Sequence, residues 1–588
     1  MRARLALALL LLSCKPAAAG DTTTAPDARP DAASPWDRPP PIQAELVQRH
    51  LAFLADDAQE GRAPGTDADR RVQQHLEADL RAMDLEPGFG DSFVQPFAVT
   101  DGVRPQAGQA PSLKLGKVDV TIELVPWAHA TAAPLEAPLV YIGHGVGDDE
   151  LAKIIKGAIV VVRAGAPQDP HLDPTRTRAQ NKLIAARDRG AAGFILWDPD
   201  SDLPYPNHGE ANDLQIPAVA VGKAGTAALL QALGSKKSPT PEDPHAGLKP
   251  GAKSKAKAAL HTPIERVTLT TANVGALLRG TGDRRIVVGA HMDHLGHGTA
   301  SSLAPGARAI HNGADDNASG VALMLGLADA LRRVPRAARP YSVQFVAFGA
   351  EEMGLLGSKH LVANLSDADR RAIVTMINFD MVGRMKENSL VVSGVGTSSQ
   401  WPKLLERANA SALTVKPSED GFGASDQTSF YSAGLPVLHF FSGTHADYHK
   451  PSDDLDKINV PGAVAIGELT LRLVGLLMRE QPTLDYVKVA AVSPSRGGFR
   501  VSLGTVPDYA AKVDGVQIAD VKPGGPAAAA GLQAGDVITK LGAREIHNFD
   551  DYMACFGELQ PGARVPIVVR RADQTLTLDI TPAAPTRR

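Results

Sequence analysis

The stretch RRIVVGAHMDHLG, residues 284–296, decides the fold. Its apolar run, bounded by Gly289, reads as a buried strand that ends on a histidine. Along a strand His291 and Asp293 project to the same face, so Asp293 is placed to accept the second N–H of the imidazole. SVQFVAF (342–348) is another continuous apolar strand, and it delivers Glu351 and Glu352 just past its end. From RVTLTT (266–271) through Arg479, buried strands alternate with amphipathic helices. The pattern predicts an α/β domain whose mixed sheet is covered by helices on both faces. Chemistry-bearing residues would then sit in loops at strand ends.

Such residues recur in order. GAHMDHLG carries His291, HNGADDNASG (311–320) Asp315, AFGAEEMGLLGS (347–358) Glu352, INFDMVGR (377–384) Asp380 and DYHKPSDD (447–454) His449. Two imidazoles and three carboxylates form the ligand set of a paired zinc site that carries out hydrolysis. Three carboxylates and a hydroxide nearly balance two divalent ions, so the cluster can be buried without a large desolvation penalty. Residues 317–333 have helical periodicity after an Asn/Ser start, which puts Asp315 in a loop at a helix N-terminus. Adjacent side chains diverge, so Glu352 can bind metal while Glu351 faces the attacking water as general base. The nearby His294, His297 and His311 read as loop or pocket histidines. Asp453 and Asp454 read as turn or cap residues rather than ligands.

With all five motifs present, the chain resembles the secreted zinc aminopeptidases. Their superfamily includes aminopeptidase Y, glutamate carboxypeptidase and glutaminyl cyclase. The resemblance covers roughly residues 42–115 and 262–480, including the turn EGRAPGT (60–66). It implies two zinc ions bridged by Asp315, with His291 and Asp380 on one and Glu352 and His449 on the other. It also implies Glu351 as base, Asp316 beside an unusual peptide bond, and Tyr448 as an oxyanion stabiliser. One departure is GASDQTSF (423–430), where Gln427 stands at a position relatives fill with histidine; it bears on the substrate pocket.

At 588 residues the chain is too long for one core. The formal charge of −4 leaves no electrostatic footprint for nucleic acid. Residues 1–19 read as a signal peptide of lipoprotein type, with Leu11-Leu12-Ser13-Cys14 as lipobox and cleavage before Cys14. The rival is ordinary cleavage after Ala17-Ala18-Ala19. Either way the chain is expected to be exported, as a bacterial cell-envelope lipoprotein (periplasmic or outer-membrane-attached) or otherwise secreted. Its only membrane contact would be a lipid on Cys14. Cys555 is the one other cysteine, so a lipidated Cys14 leaves no intramolecular disulfide.

Residues 20–41 read as a polar, proline-rich linker and 42–114 as the first peptidase segment. Residues 115–245 hold the short strands APLVYIGHG, GAIVVVRAG, AAGFILW and IPAVAVG and a helix near 181–189. They resemble a protease-associated domain, either a wall of the cleft or a stabilising appendage. Residues 246–261, rich in lysine, serine and glycine, read as a linker. The catalytic segment is 262–480. Residues 496–585 resemble a PDZ domain through VKPGGPAAAAGLQAGDVITKLGAREI (521–546), with Ser502, Leu503, Gly504 and Thr505 in place of its carboxylate-binding loop. Peptide C-termini would be partners there.

The sequence therefore points to an exported zinc exopeptidase acting on peptides, an aminopeptidase before a carboxypeptidase. The competing class is a non-catalytic peptide-binding lipoprotein that uses its PDZ domain. Retention of Glu351 with a full ligand set argues against that class.

Overall fold

The computed structural model describes residues 34–167, 174–177, 179–201, 213–298, 302–304, 309–410, 413–489, 501–507, 513–521, 524–547, 549–556 and 559–583. The signal segment with its lipobox Cys14, and most of the linker after it, lie outside these residues.

The peptidase domain is built on a nine-stranded mixed sheet. Its middle is parallel: Ser342–Phe348, Arg285–His291, Ile373–Phe379 and Val437–Phe441 lie side by side in that order. Each is apolar on both faces because each face is covered. Helices Ala44–Leu54, Gly320–Arg332 and Val460–Glu480 pack into the main core on one side. Phe348, Met376, Phe430 and Tyr431 fill the other. Val460–Glu480 is long and apolar enough to cross a membrane, but 72% of its apolar window is buried inside the protein, as in a core helix.

The helices begin and end where local chemistry dictates. Thr66 caps Asp67–Ala82 by accepting from the Asp69 N–H, and Asn459 caps Val460–Glu480 from the Gly462 N–H. The helix read from residue 317 starts later: Ala314–Ser319 is a wide, irregular turn, and regular helix runs Gly320–Arg332.

The protease-associated domain is an insertion into this sheet. Val94–Pro105 leads out to it and Ile264–Leu278 returns, and the two pair antiparallel with Pro105 opposite Ile264. The inserted domain has its own eight-stranded sheet with an apolar core on each face. The linker expected at 246–261 is corrected here. Lys253–His261 is an internal strand of this sheet, paired with Ser112–Leu115 and Leu135–Tyr141. Lys253, Lys255 and Lys257 point outward at its solvent end while Ala258 and Leu260 are buried, so its lysines are one face of a strand.

The C-terminal PDZ domain has a six-stranded sheet around Ile518, Ile538, Tyr552 and Ile567. Its helix Phe549–Cys555 docks on helix Ala179–Asp188 of the inserted domain. Arg187 Nη2 lies 2.7 Å from Oδ1 of the fully buried Asp551, and Arg544 pairs with Asp188. Arg187→Ala should take this cation from the Asp551 carboxylate, whose other oxygen keeps the His547 N–H, at a local cost of about 1.5–3 kcal/mol. Hydrogen exchange should then accelerate across 549–555 and stay unchanged in the peptidase sheet.

Candidate metal centre

The four parallel strands run the same way, and their carboxyl ends carry the site. His291 closes one strand, Glu351 and Glu352 follow the second, Asp380 the third, and His449 the loop after the fourth. The backbone is forced at these exits: Ala350 (φ 54°), Met381 (φ 52°) and His449 (φ 53°) all adopt left-handed conformations. Such conformations cost on the order of 1–3 kcal/mol each for a side-chain-bearing residue and persist only where the surroundings dictate them.

His291, Asp316, Glu351, Glu352, Asp380, Tyr448 and His449 converge on one small polar cleft, with Met381 and Ala424 completing its lining. His291 Nε2 is 3.2 Å from Asp316 Oδ1, 3.5 Å from Asp380 Oδ1 and 4.0 Å from Glu351 Oε2. His449 Nε2 is 3.2 Å from the other Asp316 oxygen and 3.1 Å from Glu352 Oε2. The Asp316 carboxylate thus faces both imidazoles, one oxygen to each, as a group shared between two ions would.

Asp315, expected as the shared ligand, does not enter the cleft. Its Oδ1 accepts from the Gly383 N–H at 2.6 Å and from Ser319 Oγ at 3.0 Å, and its Oδ2 lies 3.2 Å from His445 Nε2. Neighbouring side chains diverge in the irregular turn, so the second aspartate takes the inward place and the first braces the turn from behind. The peptide after Asp316 is cis. Asn317 ties this turn to the Asp380 strand, donating to Phe379 O and accepting from Met381 N–H.

Asp293 also differs in its contacts. Nδ1 of His291 lies 3.2 Å from the backbone carbonyl of Asp293 and 3.9 Å from its carboxylate. The carboxylate instead accepts the backbone N–H groups of Glu351 and Glu352, at 3.0 and 3.3 Å, and so fixes both acids. Asp453 plays the matching part across the cleft, with one oxygen accepting from Asp315 N–H and Asp316 N–H. Of the pocket histidines, His294 holds Glu352 at 2.7 Å, His311 bonds Ser302, and His297 is exposed. Tyr448 stacks on His449 with ring centres 3.9 Å apart. Gln427 is buried behind the cleft and accepts from Asn378.

Two residues escaped the sequence reading. His445 backs Asp315; its only signal is its place four residues before His449. Arg62, in the turn EGRAPGT, is 1% exposed and donates to the carbonyls of Leu54, Met292, Asn312 and Gly313. The turn fits because Gly61 has φ 67° and packs against Gly296 and His311, where a Cβ would come within 2.5 Å of both carbonyl oxygens.

The electrostatics are those of crowded acids. Burial pushes Glu351 well above the ordinary carboxylate range, with Glu352, Asp426 and Asp380 adding to it against the pull of His291. Asp293 is pushed up to about 7, chiefly by burial. Burial alone would lower His449, but Glu352 and Asp316 outweigh it and hold the imidazole at about 11. Burial likewise lowers Arg62, to about 10, against the pull of Asp293, Asp316 and Asp453.

Asp293, Asp315, Asp316, Glu351, Asp380 and Asp453 are buried together with Arg62 as the fully buried guanidinium. So many carboxylates with imidazole neighbours form a donor set that divalent cations fit.

Comparison with known proteins follows the same lines. Residues 273–474 match peptidase family M28, 135–229 the PA domain and 491–581 the PDZ domain. Over residues 273–474 the chain is thus similar to peptidase family M28. Aminopeptidase YwaD of Bacillus subtilis is 33% identical over 171 residues, 28% of this chain and 37% of that protein. "Probable lipoprotein aminopeptidase LpqL" of Mycobacterium tuberculosis is 24% identical over 457 residues, 71% of this chain and 81% of that one. The chain spans between about a third and a half of the first curated relatives it matches. The solved structure of BSAP, a zinc aminopeptidase from Bacillus subtilis, shares the fold at TM-score 0.52 and 23% identity, covering 74% of this chain and 95% of that one.

Arg62→Met should remove the buried cation and leave its carbonyl acceptors unsatisfied. A loss of about 3 kcal/mol or more is expected, read by denaturant unfolding.

Proposed function

We propose that this chain is a member of peptidase family M28 and an exported zinc metallo-exopeptidase that removes residues from the amino ends of peptides. The observation that carries the reading is the gathering of His291, Asp316, Glu352, Asp380 and His449 around Glu351 at the carboxyl ends of parallel strands. In this reading His291, Asp316 and Asp380 would hold one zinc, and Asp316, Glu352 and His449 would hold the other. Bound there, the ions would supply Lewis acidity to the scissile carbonyl and lower the pKa of the attacking water.

The chain's own residues do the rest. Glu351, which burial makes a stronger base in its carboxylate form, takes the water's proton and returns it to the leaving amine. Asp293 keeps Glu351 and its neighbour in register through their backbone N–H groups. His294 fixes the orientation of Glu352. Tyr448 lines the cleft beside His449 and in this reading would donate to the developing oxyanion.

The charged side chains among the described lining residues are carboxylates and imidazoles, with no lysine or arginine to receive a substrate carboxylate, which favours the amino end. The aminopeptidase names of YwaD, LpqL and BSAP support the same choice over a carboxypeptidase. LpqL's lipoprotein name supports export with a lipid on Cys14.

The PDZ domain would bind peptide C-termini. Strand Thr505–Pro507 lies at the edge of its sheet, and Gly504 just before it has φ 72°. In the preceding loop Leu503 is buried in the core, Ser502 pairs with Ala583, and the Thr505 hydroxyl bonds Tyr552.

Asp316→Ala should lose metal and turnover together. Glu351→Gln should keep its metal while kcat falls by about 10²–10⁴-fold. Metal analysis and a panel of aminoacyl and carboxy-terminal substrates check both; near-normal turnover in Glu351→Gln would sink the assignment. Exhaustive chelation should abolish hydrolysis and added zinc restore it, whereas unchanged activity after chelation would rule out metal catalysis.

A further inference from the structure

Away from the cleft, a second group of ligand-type side chains lies between the first two helices. His50 projects from Ala44–Leu54. His75 and Asp79 stand one turn apart on Asp67–Ala82, which places both on one face. One nitrogen from each imidazole and one carboxylate oxygen all lie within 4.8 Å of one another. His50 Nδ1 is 3.2 Å and His75 Nε2 3.1 Å from the same oxygen, Asp79 Oδ2. Ligands of a tetrahedral zinc bonded at about 2.0–2.1 Å stand about 3.3 Å apart, so these two spacings are compatible with a metal's donor atoms.

The contacts are not well-directed hydrogen bonds. Both nitrogens of His50, Nε2 of His75 and Oδ2 of Asp79 are buried without a hydrogen-bonded partner. His50 is 1% exposed, so its imidazole has no water to turn to. Phe53 stacks on the His75 ring at 3.6 Å and holds it toward His50. Burial lowers the His75 pKa, with Asp79 opposing and His50 and Arg49 adding to the fall; the neutral imidazole is the form a metal needs. The His75 and Asp79 side chains are 30% and 24% exposed, which leaves a side open for a water ligand.

We propose that His50, His75 and Asp79 bind a zinc ion that staples helix Ala44–Leu54 to helix Asp67–Ala82, separate from the catalytic centre. The first helix packs on Gly320–Arg332 and the second on Ile264–Leu278, so the ion would tie the N-terminal segment to the sheet it covers.

The test uses the full-length protein, stripped with chelator, reloaded with zinc, desalted and analysed for metal. His75→Ala and Asp79→Asn should each carry one zinc per chain fewer than the parent, with unchanged hydrolysis of a short substrate. Zinc should still raise the melting temperature of Asp316→Ala, and this rise should vanish when His75→Ala is added. Asp79→Asn, which keeps the side chain's shape, guards against a folding defect in His75→Ala. Equal zinc content in the parent and both variants would overturn the proposal. Because Asp316→Ala reports the catalytic ions separately, failure of one assignment is distinguishable from failure of the other.

Discussion

A surplus of buried carboxylate is the constraint on which the nine-stranded domain turns. Asp293, Asp315, Asp316, Glu351, Asp380 and Asp453 are withdrawn from water within one region, and no arrangement of a bare chain neutralises them cheaply. The fold responds on three levels. Asp293 and Asp453 spend their lone pairs on backbone N–H groups and so fix the loops that carry the reactive acids. Arg62 supplies the fully buried guanidinium and also satisfies four carbonyls. What charge remains faces the cleft, where divalent cations are the natural complement.

Much of this was legible in the sequence because function and periodicity coincide. A strand that is apolar on both faces and ends on a histidine or a pair of glutamates announces both a parallel sheet and a site at its edge. The single-residue shift at Asp315 and Asp316 marks the limit. Both aspartates sit in the same loop, and what separates them is an irregular turn closed by Gly383 and Ser319, more than sixty residues away in one case. No local pattern encodes which of two neighbours turns inward. Arg62 was hidden for a similar reason: its partners are backbone carbonyls, which look alike in every sequence.

The misread linker at 246–261 has a different physical origin. A composition rich in lysine, serine and glycine suits a solvated tether, yet lysines at alternate positions are also the signature of a strand with one wet face. The apolar half of that signature, Ala258 and Leu260, comes only at the end of the run. Pairing with Ser112–Leu115, more than a hundred residues earlier, makes it a strand.

The way the inserted domain joins the sheet has a further consequence. Its outgoing and returning strands are neighbours, with Pro105 opposite Ile264 and the Gln106 N–H bonded to Pro263 O. The whole module therefore occupies the position of a hairpin turn. A tight turn of a few residues spliced between those two positions would restore an uninterrupted peptidase chain without changing the register of a single strand. Gain or loss of such a module is thus an event at one loop, and a lineage could exchange it while the nine-stranded sheet remained intact.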